Sequence, residues 1–341
     1  MKRDIKSMYL SELEEHFKEI GLERYRAKQV FSWLHKGVRD FEQMTNLSLN
    51  LRESLDREFF ITSPAVIRKQ VSKLDGTIKY LWRLHDGEAI ESVLMSYAHG
   101  NSVCISTQVG CKMGCLFCAS AIGGFRRDLT AAEMLDQVLF TQQDSGKKIS
   151  NIVLMGIGEP LDNFENVMRF TRLVRHEAGI NIGSRHLTVS TCGIVENIDR
   201  LAEYGVQLTL AISLHASEDS TRMYLIPSSR NAPVKKLIEA CDRYFEKTGR
   251  RVTYEYALID GVNDSPEHAE KLSKLLAKAG SHLNLITLSK FQESNFEPSS
   301  AENMDKFTEV LRDNNINFTV RRSLGADINA SCGELRWQTL D

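Results

Sequence analysis

The sequence lacks any run of about 18 apolar residues, so it predicts no membrane-spanning helix. It also lacks the apolar region of a signal peptide, because the opening MKRDIKSMYLSELEEH soon becomes acidic. Basic residues are not in excess, since 43 Lys and Arg face 45 Asp and Glu for a formal net charge of −2. This balance argues against a protein coated in nucleic acid, although a structured RNA needs only a local basic face. We therefore expect a cytoplasmic globular protein with no membrane partner.

Apolar periodicity divides the 341 residues into regions of different secondary structure. Residues 8–58 are predicted to be helical, and residues 64–97 favour strands with a turn at Asp86 and Gly87. From about residue 103, apolar strands alternate with helices. We predict a helical accessory domain at 1–60, a β-rich connecting segment at 61–96, a core at 97–327 and a C-terminal segment at 328–341.

The alternating region has roughly six βα units, which predict an α/β fold whose parallel sheet curls into a partial TIM-like (βα) barrel. An open doubly wound sheet is the competing architecture. Helix starts are indicated by three short motifs: the capping boxes Thr130 with Glu133 and Ser299 with Glu302, and Ser265 followed by Pro266. In a barrel the chemistry lies at the carboxyl ends of strands, where polar residues recur in this sequence. They are Gly158, Glu159, Ser190, Ser213 and His215.

The stretch VGCKMGCLFCAS (109–120) places Cys111, Cys115 and Cys118 in a Cys-x3-Cys-x2-Cys pattern. Cysteines of a cytoplasmic protein should be reduced, which favours metal or catalytic roles over disulfides. Structural zinc usually takes four protein ligands, and this group has three. Three thiolates on a 4Fe–4S cluster leave one iron open, which S-adenosylmethionine (SAM) can fill. With the aromatic Phe117 before the last cysteine, this is the radical SAM pattern.

A second motif, MGIGEP (155–160), follows the next predicted strand. It resembles the Gly-Gly-Glu-Pro motif that receives the amino end of SAM in radical SAM enzymes. Its glycines permit close backbone approach, and Glu159 can accept a hydrogen bond from an ammonium group.

Nearly the whole chain resembles the RlmN/Cfr family of radical SAM RNA methyltransferases, and the RlmN branch more closely. The resemblance covers the cysteine stretch at 100–130, MGIGEP, and segments of both termini. These further segments are YRAKQVFSWLHKGVRDFEQMTNLSLNLRESL (25–55), HLTVSTCGI (186–194), AISLHA (211–216), VNDSPEHA (262–269) and DINASCGEL (327–335).

The resemblance implies a role for each matching position. Cys111, Cys115 and Cys118 would bind the 4Fe–4S cluster. Cys332 would accept a methyl group on sulfur, with Cys104 as its resolving thiol and Glu91 as proton acceptor. SAM contacts would come from a set of strand-end residues: Gly158, Glu159, Ser190, Ser213, Leu214, His215 and Ser289. Cys192 and Cys241 match no functional position of the family, and we interpret them as structural.

The implied reaction methylates C2 of an adenosine in 23S rRNA near the peptidyl transferase centre, with tRNA as a second substrate. One SAM methylates Cys332, and a second SAM generates the radical that activates this methyl group. The activated carbon then joins the base, and a Cys104–Cys332 disulfide forms as methylated RNA is released. The helical N-terminal part would grip RNA, and an electron donor such as flavodoxin or ferredoxin would serve a monomeric enzyme.

Three departures from the family pattern bear on this expectation. Ser229 and Ser289 replace asparagines, and serine has a shorter reach and fewer hydrogen bonds. Asn329 replaces an aspartate close to Cys332. A divergent paralogue is one explanation. Cfr-like methylation at C8, a radical SAM enzyme with a non-RNA substrate, and a non-catalytic RNA-binding relic remain alternatives.

Overall fold

The computed structural model describes residues 2–277, 280–289 and 294–330. Its N-terminal part contains the helices α1 (Leu10–Glu19), α2 (Arg24–Leu34) and α3 (Leu49–Glu58). Two short parallel strands, β1 (Arg3–Asp4) and β2 (Phe59–Phe60), join the two ends of this unit. Each helix buries an apolar stripe, which confirms helices within 8–58. Residues 35–48, which were also expected to be helical, form turns and irregular chain instead.

The next segment forms an antiparallel meander of three strands. These are β3 (Ala65–Val71), β4 (Ile78–Arg83) and β5 (Ala89–Tyr97). β5 pairs with β6 (Gly100–Ile105), so the meander continues the sheet of the core instead of standing apart from it. A short antiparallel pair follows, β7 (Gln108–Val109) with β8 (Arg127–Asp128).

Seven parallel strands of the ten-stranded sheet, beginning with β6, make up the core among the described residues. The other six are β9 (Ile149–Leu154), β10 (Leu187–Thr191), β11 (Thr209–Ser213), β12 (Val252–Leu258), β13 (Ser281–Thr287) and β14 (Phe318–Val320). The connecting helices are α4 (Ala131–Ser145), α5 (Phe164–Val174), α6 (Val195–Glu203), α7 (Asp219–Leu225), α8 (Val234–Thr248), α9 (Pro266–Leu276) and α10 (Ala301–Asp313).

The parallel strands lie side by side in chain order. A doubly wound sheet reverses its strand order at a switch point, and this sheet has no such reversal among the described strands. The order therefore favours the partial barrel over the competing open architecture. It also brings the carboxyl ends of the parallel strands to one rim.

Two of the three predicted helix starts are confirmed, and one is wrong. Thr130 and Glu133 form a reciprocal capping box at α4, and Ser265 caps α9. Ser299 was expected to cap α10, but its hydroxyl donates to Asp264 at 2.6 Å instead. Ser300 is the cap, and its Oγ accepts from the amide of Asn303. Neighbouring serines are equivalent in a sequence pattern, and only the tertiary contact to Asp264 distinguishes them.

A buried ion pair joins the N-terminal part to the core. Lys6 Nζ lies 2.5 Å from Asp136 Oδ1 on α4 and also donates to the carbonyl of Thr62. Both side chains are essentially inaccessible to solvent. Within the described ranges, no helix is both long and apolar enough to cross a membrane.

Candidate active site

A cavity of about 390 Å³ opens at the carboxyl ends of strands β9 to β13. The loop between β7 and β8 supplies one wall with Cys111, Cys115 and Cys118. Successive strand ends supply the opposite walls, including Ser190 from β10 and Ser213 from β11. The structure thus brings the three cysteines and the polar strand ends together, as the sequence predicts.

The cysteine loop is fixed at its base and at its tip. The pairing of β7 with β8 closes the base. At the tip, the amide of Leu116 donates to the carbonyl of Leu225 at 3.0 Å, where α7 ends. Cys115 and Phe117 pack on a small apolar cluster that includes Leu225 and Ile226. These contacts hold the thiols against the cavity.

The thiols of the loop are half-buried, and they lie close enough together for their thiolate forms to disfavour one another. Burial raises the pKa of Cys111 to about 12, with smaller contributions from Cys118 and Glu159. Burial likewise raises the pKa of Cys115, and the neighbouring Cys118 and Cys111 add to the effect. Cys111 and Cys115 are therefore protonated at neutral pH in the free protein. A metal centre would bind them as thiolates by displacing these protons.

The donor set fits an iron–sulfur cluster. Three thiols face one cavity, and thiolates are the usual ligands of iron–sulfur clusters. Among the described residues, no three His, Cys, Asp or Glu side chains converge on a point suited to a single metal ion. A four-iron cube binds each thiolate at a different iron, so it suits ligands spaced more widely than those of one ion.

Gly158 and Glu159 form the part of the wall predicted to receive SAM. Gly158 has a φ of +109°, and a Cβ there would lie 2.6 Å from Gln108, so only glycine fits. The carboxylate of Glu159 accepts from the amides of Leu161 at 3.0 Å and Cys192 at 2.8 Å. Burial raises the pKa of Glu159, while these hydrogen bonds oppose the shift. Its oxygens retain lone pairs for an ammonium donor.

His215 adopts a left-handed conformation with a φ of +54° at the end of β11. Its Nδ1 accepts from the amide of Ala257 at 2.9 Å, which leaves the ring proton on Nε2. The ring meets Phe117 of the cysteine loop edge-on, with centroids 4.8 Å apart. Burial lowers the pKa of His215 to about 3, with Arg222 adding to the effect. It is a neutral hydrogen-bond donor at physiological pH.

This environment predicts a pH dependence of stability. His215 has an unfolded pKa of 6.5 and a folded pKa of about 3, so its stabilising contribution is complete above pH 6.5 and is lost as pH falls towards 3. An asparagine side chain at this position would keep an acceptor near the Nδ1 site and tolerate positive φ. Between pH 7.5 and 4.5, we expect the free energy of unfolding of the metal-free protein to fall by about 2–3 kcal/mol more in wild type than in His215→Asn. Urea denaturation at both pH values measures this difference, and equal losses would contradict it.

Two other predicted SAM contacts, Leu214 and Ser289, lie away from the centre of the cavity. The side chain of Leu214 is fully buried in the main core, and its amide donates to the carbonyl of Glu255 at 3.0 Å. The structure thus places only its neighbours Ser213 and His215 on the cavity wall. Ser289 is exposed at the rim of the cavity, beyond the end of β13.

Glu91 and Cys104 lie on the adjoining strands β5 and β6 and are almost completely buried. Together with Gly156 they border a small space of about 10 Å³. Gly156 also lines the large cavity, so the two spaces share one wall. Cys332, the predicted methyl acceptor, lies outside the described residues.

Three residues at the cavity, Cys192, Glu255 and Arg321, carry no site prediction from the sequence. Cys192, interpreted as structural, lines the cavity, because β10 ends at Thr191 and directs the next residues to the rim. Cys241 is buried in the core, as expected. Glu255 faces the cavity from β12, and burial raises its pKa. Arg321 lies 3.9 Å from it. The sequence did contain a signal for Glu255, because a charged residue inside the otherwise apolar strand VTYEYALI is unusual and indicates a functional position.

Comparison with known proteins agrees with these features. Residues 105–273 match the radical SAM superfamily, and residues 4–61 match the ribosomal RNA large subunit methyltransferase N-terminal domain. The chain is 50% identical over 336 residues to a probable dual-specificity RNA methyltransferase RlmN of Lachnoclostridium phytofermentans, covering 98% of this chain and 94% of the relative. A relative of the same description from Alkaliphilus metalliredigens is 48% identical, with coverage of 100% and 97%.

A solved structure agrees over almost the same extent. The crystal structure of a radical SAM methyltransferase from Sphaerobacter thermophilus superposes with a TM-score of 0.92 at 44% identity. The match covers 97% of this chain and 98% of that one. Identity at this level over both domains shows that the chain belongs to the RlmN family of radical SAM RNA methyltransferases.

Proposed function

We propose that this protein methylates C2 of an adenosine in structured RNA, with 23S rRNA as the leading substrate and tRNA as the second. The observation that carries the proposal is the shared wall at Gly156. On one side lie the three thiols and the polar strand ends, and on the other lie Glu91 and Cys104. The proposed SAM site and the proposed acid–base and thiol pair would thus be adjacent.

The substrate atom explains why such an arrangement is needed. C2 of adenine is an electron-poor carbon without a lone pair, so it cannot displace methyl from a sulfonium. When bound at Cys111, Cys115 and Cys118, a 4Fe–4S cluster supplies the electron that cleaves SAM reductively. Glu159 and Ser213 would hold the amino acid part of SAM beside that centre, and the neutral His215 would donate from Nε2.

The remaining steps belong to side chains of the protein. The thiolate of Cys332 would take methyl from a first SAM by displacement, with S-adenosylhomocysteine as leaving group. A hydrogen atom would first be taken from the S-methyl group of Cys332 by the radical derived from the second SAM, and the resulting carbon would join C2 of the base. The adduct would then lose one electron, which the cluster held by Cys111, Cys115 and Cys118 would accept, and Glu91 would accept the proton lost from C2. The sulfur of Cys104 would attack that of Cys332, the S–C bond would break, and the thiol proton of Cys104 would complete the methyl group, which releases the methylated base and leaves a disulfide.

The N-terminal helices supply a surface suited to RNA. Lys28 and Trp33 on α2, together with Lys36 in the turn that follows it, border an open hollow of about 260 Å³. Lys36 Nζ lies 4.9 Å from the centroid of the Trp33 ring. In such a pair the ammonium group can contact a phosphate, and the aromatic ring can stack on an unpaired base. This arrangement supports the expectation that the helical N-terminal part contacts RNA.

The reaction also requires reducing equivalents and an accessible RNA. A small electron carrier such as flavodoxin or ferredoxin would supply the electrons, and the cytoplasm would be the compartment. The target base must leave its stack, because C2 is otherwise inaccessible to Cys332.

Identification of the methylated nucleoside tests the proposal. The protein is reconstituted anaerobically with iron and sulfide and incubated with reductant, SAM and unmodified 23S rRNA or tRNA. Digested nucleosides are then separated by chromatography and identified by mass spectrometry against synthetic standards. We expect 2-methyladenosine from both RNAs. 8-Methyladenosine would contradict the choice of carbon, and 5′-deoxyadenosine without methylated RNA would contradict the RNA substrate.

A further inference from the structure

The turn between β3 and β4 binds the C-terminal segment of the chain. The carboxylate of Asp327 accepts from Ser72 Oγ at 2.6 Å and from the amide of Lys73 at 2.8 Å. In the opposite direction, the amide of Gly325 donates to Asp75 Oδ2 at 2.8 Å. Two segments about 250 residues apart are thus paired reciprocally.

A lysine at the start of β4 extends this docking site into the interior. Lys79 Nζ donates to the main-chain carbonyl of Asn329 at 2.7 Å. The same nitrogen lies 3.1 Å from Glu91 Oε2, and the two side chains are only 1% and 3% exposed. Lys79 therefore joins the C-terminal segment directly to the proposed proton acceptor.

Strand register places Lys79 in line with the resolving thiol. Lys79 is opposite Val93, and Val93 is opposite Cys104, so these residues form one row across β4, β5 and β6. Residues directly opposite one another share a face of the sheet, and Glu91 shares it too because it lies two residues from Val93. Lys79, Glu91 and Cys104 consequently face the same space.

The identity of residue 329 is compatible with this contact. Asn329 has a φ of +44°, a left-handed conformation that asparagine and aspartate tolerate better than most residues. Lys79 binds the main-chain carbonyl of this residue. The replacement of the family's aspartate by asparagine therefore leaves the contact in place.

We propose that Lys79 is a positioning residue that holds residues 325–330, the described stretch that precedes Cys332 in the chain, beside Glu91. Three peptide units separate Asn329 from Cys332, so fixing Asn329 restricts the positions that Cys332 can reach. The ammonium of Lys79 simultaneously orients the carboxylate of Glu91. This inference rests on the proposed function for its catalytic consequence, whereas the docking itself does not depend on it.

Matched variants of one hairpin test the proposal. Lys79→Met removes the ammonium, and Lys79→Arg keeps a cation. Asp327→Asn weakens the hydrogen bonds from Ser72 and Lys73 at the exposed end of the same docking site. The control is Lys69→Met on β3, whose partner is Asp144 on α4. Hydrogen exchange of residues 325–330 reports docking in every variant, independently of any reaction. Glu91→Gln separates the two roles, because it removes the carboxylate and leaves the carbonyl contact.

We expect faster exchange at 325–330 in Lys79→Met and Asp327→Asn than in wild type, Lys69→Met and Glu91→Gln. In Lys79→Met, the ratio of 5′-deoxyadenosine formed to RNA methylated should rise about tenfold or more, with iron content unchanged. Lys79→Arg should restore part of this coupling. Unchanged exchange in Lys79→Met would overturn the proposal, whatever Asp327→Asn shows. If exchange is altered in Lys79→Met but the wild type never methylates RNA, the docking role stands and only the proposed function is refuted. Should Lys79→Met fail to fold, Lys79→Gln takes its place in the same measurement.

Discussion

Cys115→Ala is expected to lose the iron–sulfur cluster and, with it, RNA methylation by at least about 1000-fold. Cys115 lies on the cavity wall, and its loop is anchored by the hydrogen bond from Leu116 to Leu225. Alanine would remove one of the three proposed ligands, and the two remaining thiolates would bind a 4Fe–4S cluster much more weakly. The measurement is iron and sulfide content after anaerobic reconstitution, followed by the yield of 5′-deoxyadenosine.

Cys192→Ala provides the matched control for this variant. Cys192 lines the same cavity, and its amide donates to Glu159. Alanine at this position keeps the amide and removes only the thiol. We expect the iron content of Cys192→Ala to equal that of wild type. An iron content in Cys115→Ala equal to wild type, or a loss of iron in Cys192→Ala as large as in Cys115→Ala, would contradict the assigned ligand set.

Cys332→Ala is expected to abolish methylated RNA while leaving the cluster intact. Its thiol is the proposed methyl acceptor, and no other nucleophile of the site is assigned that role. Iron content should match that of wild type, because Cys111, Cys115 and Cys118 remain. Intact-protein mass spectrometry should show that wild type gains a methyl group from SAM and that Cys332→Ala does not.

Cys104→Ala distinguishes the two proposed catalytic thiols. If Cys104 is the resolving thiol, the base cannot be released from Cys332 without it, so we expect RNA to remain covalently attached to the protein. Denaturing gel electrophoresis with labelled RNA detects the adduct. An adduct in Cys332→Ala, or free methylated RNA from Cys104→Ala at the wild-type rate, would reverse these assignments.

Local sequence patterns were sufficient to predict most of the fold. The capping box of Thr130 and Glu133 and the apolar strands depend on neighbouring residues alone. Alternating strands and helices imply parallel pairing, which in turn places strand ends at one rim. The start of α10 was predicted one residue early because the role of Ser299 depends on the distant Asp264.

The parts of the site that consist of short contiguous motifs could be predicted from the sequence. The parts that depend on how strands align with one another could not. The Cys-x3-Cys-x2-Cys loop and MGIGEP are contiguous, so their chemistry can be inferred from spacing. The pairing of Lys79 with Glu91 depends instead on the alignment of β4 with β5. The contact of Lys79 with Asn329 depends on a segment that lies 250 residues away in the sequence. Cys192 gave no signal of its own, because its position at the rim follows from where β10 ends.

The most direct test of the account is a single-turnover transfer of label from protein to RNA. Protein is first methylated at Cys332 with SAM carrying a trideuterated methyl group, freed of SAM, and then incubated with unlabelled SAM, reductant and RNA. The account predicts 2-methyladenosine that contains deuterium from the protein, with at least one of the three deuterium atoms lost during activation of the methyl group. First-turnover 2-methyladenosine without deuterium would show that methyl reaches RNA by another route and would contradict the role of Cys332.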